Sequence, residues 1–137
     1  YDTYYDTTIA ISYDQSFNAY TNTESNNRYI LNENDDIISK TLSNIGNEFA
    51  YSFDTVKKGP LYNVKNKKFI PILWNGTSNS KMNELTTYPI IAIFDDNLAQ
   101  NNPFVNTYDS DGFVTKSVFT LSNGSQAYEI TYIYKSI

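Results

Sequence analysis

Residues 109–135 leave the chain few ways to fold. Asp111 and Gly112 open a run of β-forming residues, Asn123-Gly124-Ser125 reverses it, and the return segment alternates. Tyr128, Ile130, Tyr132 and Tyr134 face one way, and Glu129, Thr131 and Lys135 face the other, with Ile133 the exception. A tight turn supplying a positive φ, joined to a side-chain period of two, makes a hairpin with one face to bury. Residues 35–54 carry the same plan. Asp35, Ile37, Ile38, Ser39 and Lys40 lie beside Asp111, Phe113, Val114, Thr115 and Lys116, and Glu48, Phe49, Tyr51 and Phe53 lie beside Glu129, Ile130, Tyr132 and Tyr134. A duplicated sheet unit is favoured over chance convergence of turn chemistry.

The rest of the chain fits around these hairpins. Residues 1–14 alternate as a strand, with Tyr5, Thr7, Ile9, Ile11 and Tyr13 on one face. The polar stretch 14–27 is expected to loop around a short strand near 17–20. Segments 28–31, 37–42 and 48–54, separated by turns at 32–36 and 44–47, form an antiparallel meander. The pattern then breaks. Two apolar runs, 69–74 and 88–94, are short enough to be buried strands or helical turns. Pro71 and Pro89 argue for edges, bulges or irregular packing there. The links 75–87 and 95–106 are polar and expected to be exposed. The fold expected is all-β, a single domain over 1–137. An antiparallel meander of roughly seven to ten strands forms a sandwich or a strongly curved sheet. Its hairpin units lie at about 28–54 and 106–136, and a small irregular insertion at about 55–105 covers one face or edge.

Composition narrows the chemistry. Thirteen tyrosines and eight phenylalanines among 137 residues favour sheet. A net charge of -5 argues against a nucleic-acid partner. There is no cysteine and no histidine. Disulfides, thiolate nucleophiles, zinc–cysteine sites and every triad, dyad or metal site that needs imidazole are therefore excluded. No apolar run reaches the length of a membrane span. The chain begins at Tyr1 without a signal segment, which fits a leader removed upstream.

The acid pairs Asp35–Asp36, Asp95–Asp96 and Asp109–Asp111 fall at expected turns, where carboxylates serve as turn formers. They are not expected to act as a glycosidase pair, which needs one carboxyl with a raised pKa. Ser78 and Lys81 match S-x-x-K but lie in an Asn/Ser-rich link rather than at the start of a buried helix. No catalytic residue, cofactor or metal site is expected. Lys57, Lys58, Lys65, Lys67 and Lys68 crowd five of the nine lysines into twelve positions. With aromatic residues between them, they could grip an anionic partner or simply be a solvated loop. The candidate ligand-binding residues are Trp74, as a stacking surface for a sugar ring, with Tyr62 and Lys65.

Residues 51–63, from Tyr51-Ser-Phe-Asp54 through Lys57-Lys-Gly-Pro-Leu-Tyr-Asn63, resemble secreted lipoproteins of Bacteroidota built on degenerate YD-repeat-like (Rhs-like) β-meanders. The stretches 108–116 and 132–135 resemble the final hairpin of that group, and the likeness spans 28–63 and 106–135. It implies an exported, lipid-anchored protein of unassigned activity, placed extracytoplasmically on the outer membrane or cell surface, with its anchoring cysteine upstream of Tyr1. Taken together, these features predict a non-enzymatic cell-surface domain that binds a glycan, peptide or protein. The alternative is a filament subunit whose first strand, 4–13, completes a neighbour's sheet. A carboxylate-dependent glycosidase ranks below both.

Overall fold

The computed structural model describes residues 10–65, 67, 69–73, 79–121 and 123–134. Among these residues nine strands follow one another as β1 (Ile11–Asp14), β2 (Ala19–Asn22), β3 (Arg28–Leu31), β4 (Ile37–Leu42), β5 (Asn47–Phe53), β6 (Ile90–Asp95), β7 (Gln100–Tyr108), β8 (Val114–Thr120) and β9 (Gln126–Thr131). They pair in sequence order into one antiparallel sheet with β1 and β9 as its edges. The all-β meander is as expected, and of the two architectures it is the single sheet. The filament alternative drew on 4–13 as a donated strand. Its last residues, 11–13, belong to β1 and pair with β2 of the same chain, and 1–9 lie outside the described residues.

Each tight turn is closed by one residue in the left-handed region: Asn18, Asn26, Asp35, Gly46, Ala99, Gly112 and Gly124, with φ between 46° and 83°. A type I turn followed by such a residue matches the right-handed twist of the flanking strands. Asn, Asp and Gly tolerate this conformation, which explains how so Asn-rich a chain turns so often.

The two hairpin units share their turn in atomic detail. Asn32 Oδ1 accepts bonds from the amides of Asn34 (2.9 Å) and Asp36 (3.0 Å). Asp109 Oδ1 does the same for Asp111 (3.0 Å) and Phe113 (2.9 Å). The left-handed position is Asp35 in one turn and Gly112 in the other. The equivalence is thus Asp35 with Gly112, one residue away from the match drawn by sequence. A one-residue shift swaps faces. Lys40 pairs with Tyr29 and Phe49 on the buried face, whereas Lys116 is half exposed and bonds Glu129 at 3.0 Å. Burial holds the Lys40 ammonium below its usual pKa.

Between β5 and β6 the chain leaves the sheet and covers its inner face with α1 (Phe69–Leu73) and a 3-10 helix (Asn79–Leu85). The two pack against each other, yet α1 touches β2, and the 3-10 helix reaches β8 and β9 through Asn83–Ser117 and Tyr128–Glu84. In a flat sheet β2 and β8 would stand about 29 Å apart. The sheet therefore curls around this segment. Its core joins Tyr20, Tyr29, Leu31, Phe49, Tyr51, Ile93, Phe104 and Phe119 from the strands with Ile72 and Met82 from the cover.

The irregular section ends at Pro89, not near 105. Pro89 sits just ahead of β6, where no ladder N–H is needed, and its carbonyl accepts the Asp54 amide at 3.0 Å. β6 is an interior strand rather than an edge, and of the edges, bulges or irregular packing expected from its proline it shows the irregularity, since the β5–β6 register shifts between Ser52 and Phe53, next to Ile90. Pro103 lies within β7 at a handover, where residues 100–103 pair with β6 and residues 104–108 pair with β8. Where β6 and β7 part, side chains replace the ladder. Asn83 Oδ1 accepts the Ile90 amide (2.6 Å) and Asn106 Nδ2 donates to the Ile90 carbonyl (2.9 Å). Asn83 Nδ2 also donates to Ser117 Oγ (2.7 Å), which donates to Asn106 Oδ1 (2.6 Å). Asn83 and Ser117 are fully buried, so this network meets the requirement that buried polar groups be paired.

Candidate functional site

The turns β4–β5, β6–β7 and β8–β9 lie at one end of the sheet, away from the end where the 54–89 segment enters. There a cleft of about 250 Å³ opens on the inner face. Phe49 of β5, Ile93 of β6 and Phe119 of β8 form its floor, with Asn102 of β7 among them. Asp95 and Gln100 sit at the rim, and Leu98 and Leu121 rise from the neighbouring turns. Register explains the convergence. Phe49 pairs with Asp95, which pairs with Gln100, so all three side chains share the inner face. Tyr51, Ile93 and Asn102 form the next row. The Phe119 ring is braced by Phe104, with centroids 5.0 Å apart. Asp95 Oδ1 accepts the Leu98 amide at 3.3 Å, fixing the turn that carries Leu98.

The residues singled out by sequence lie elsewhere. Trp74 falls outside the described residues, as does Ser78 of the S-x-x-K match. Tyr62 is exposed at the opposite end of the sheet, edge-on to Tyr88 and Phe113 at 6.1 Å from each. Lys58 Nζ lies 5.6 Å from the Tyr62 ring and 4.7 Å from that of Phe113. This cluster docks 57–62 onto the β7–β8 turn, where Lys58 donates its amide to Gly112 and accepts that of Val114. Lys65 is exposed beyond it. The lysine cluster is dispersed: Lys57 lies over Tyr108 at 5.1 Å, and Lys67 is buried in a 2.7 Å ion pair with Asp36. Lys68 lies outside the described residues, and the other four lysines form no shared basic strip.

The acid pairs also separate. Asp35 closes a turn while Asp36 is an interior counter-ion. Asp95 faces the cleft, whereas Asp96 lies on the outer face beside Glu48 and Phe94. Asp109 caps the β7–β8 turn. Among the described residues no group of three acids could hold a metal ion, and no helix is long and apolar enough to cross a membrane. Burial pushes the Tyr51 hydroxyl far above its ordinary pKa and raises that of Tyr132 as well.

Sequence reasoning missed the cleft because it took 95–106 for a loop. The available signal was the spacing Gln100, Asn102, Phe104, in which polar and aromatic residues alternate with Asn101, Pro103 and Val105 as on a strand. The class these observations define is an open antiparallel β-meander with a covered inner face and a cleft at one end. No family model, curated protein or solved structure matches the chain.

Proposed function

We propose that the chain is a non-enzymatic binding domain of an exported cell-surface protein, with its ligand seated in the cleft at the turn end of the inner face. One observation carries this reading. Two aromatic rings, one carboxylate and two carboxamides converge on a single space open to solvent. Sites for small ligands combine an apolar lining with a few placed polar groups in this way. The fates of the acid pairs support a non-catalytic role, since each pair is divided between turn, interior and surface tasks. Export rests on the likeness of the hairpin units to secreted lipoproteins.

The test is a backbone-amide NMR titration of the labelled chain with neutral disaccharides, acidic disaccharides and tripeptides. Shifts are expected to cluster at 93–102 and 119–121 and to weaken in Leu98→Ala, an exposed rim substitution that spares the floor. Shifts confined to the Tyr62–Phe113 cluster, or absent from the cleft with every ligand, would refute the assignment.

A further inference from the structure

We infer that the ligand of this cleft is a neutral pyranose ring, recognised through its hydroxyls; this rests on the binding role proposed above. At the cleft Phe49, Ile93 and Phe119 each pair with a neighbouring strand on both sides, and the 100–103 half of β7 pairs with β6. The recognition inferred is therefore through side chains, with strand addition by an extended peptide as the outcome that the tripeptide tests.

Those side chains have a specific character. Among the described residues Asp95 is the one acidic or basic side chain lining the cleft, in a chain of net charge -5, so a phosphate, sulfate or carboxylate is disfavoured. Gln100 carries an acceptor and two donors in one plane, and Asn102 adds a second carboxamide to the lining. That mixture suits vicinal hydroxyls, which both donate and accept, better than a cation, which needs acceptors alone. Below them Phe49, Ile93 and Phe119 offer an apolar floor for the C–H face of a sugar. At about 250 Å³ the space holds one small ring, falling below the usual range for drug-sized ligands. Its open mouth lets a longer glycan continue into solvent.

The experiment compares cellobiose, maltose and mannobiose with digalacturonic acid and a tripeptide on the intact chain, read by amide shifts at 93–102. At least one neutral disaccharide is expected to bind ten or more times tighter than digalacturonic acid. Gln100→Ala is expected to weaken that binding about tenfold, the worth of a hydrogen bond lost to a bound ligand. Asp95→Asn is expected to weaken the neutral ligand severalfold and to narrow the gap to the acidic one. Gln100 is at the rim, and Asp95→Asn keeps an oxygen for the Leu98 amide, so both variants are expected to fold, as their amide spectra outside the cleft would show. If digalacturonic acid or the tripeptide alone shifts the cleft resonances, the sugar assignment is overturned while the binding role stands. If none of these ligands does so, both fall.

Discussion

Lys67→Met should show how strongly the cover segment is tied to the sheet. The Asp36 carboxylate and the Lys67 ammonium are 2.7 Å apart, with side-chain exposures of 0% and 5%. Asp36 also accepts the amides of Thr87 (2.6 Å) and Tyr88 (3.4 Å), so one carboxylate gathers the β3–β4 turn and both halves of the cover. Removing the ammonium leaves a buried anion with amide donors only, which costs about 3–5 kcal/mol. Against a total stability of about 5–15 kcal/mol, that is a large fraction. Asp36→Asn with Lys67→Met removes both charges and keeps an oxygen for the Thr87 amide, so the pair should recover most of the loss. Urea denaturation followed by far-UV circular dichroism gives the four corners of the cycle. A loss below about 1 kcal/mol in Lys67→Met, typical of a solvated surface pair, would refute the burial argument.

Three further outcomes follow from local geometry. Ala99 closes the β6–β7 turn at φ 49°, so Ala99→Gly should stabilise the fold by about 0.5–1 kcal/mol once the entropy cost of glycine is deducted, read from the urea midpoint. Gly59 is confined differently, since a Cβ there would stand 2.7 Å from the Thr86 carbonyl oxygen and 2.9 Å from that of Thr87. Gly59→Ala should therefore destabilise by about 1–3 kcal/mol, seen as a lowered Tm. The raised pKa of buried Tyr51 keeps it protonated in the folded chain, while in the unfolded chain it ionises near pH 10. Its stability contribution is complete below that pH and declines above it, by about 1.4 kcal/mol at pH 11. Tyr51→Phe should lose correspondingly less stability than the parent chain between pH 9 and 11, and an equal loss in both would contradict the assignment.

The parts legible in the sequence were those set by neighbours along the chain. Asn32, Asn34 and Asp35, like Asp109, Asp111 and Gly112, encode a turn through side-chain-to-amide bonds spanning a few residues. Alternation such as Phe49, Tyr51, Phe53 fixes which face of a strand is buried. β6 and β7 were obscured because Pro89 and Pro103 suggest edges or loops. Each is accommodated at a point where the ladder does not require its N–H, and that is a property of the partners.

The cleft and the interior polar contacts belong to the tertiary structure alone. Asp36 and Lys67 are 31 residues apart and Asn83 and Ser117 are 34 apart, and nothing local to either residue announces the other. Asp36 looked like a turn former and Lys67 like one of a solvated cluster until the cover segment brought them together. Phe49, Asp95, Gln100, Asn102 and Phe119 converge because strand register places them on one face of a curled sheet. Hairpins and their buried faces were determined by the sequence itself, through bonds and periodicities a few residues long. Which charges became interior, and which side chains came to share a cleft, was decided by curvature and register, which exist only once the strands have paired.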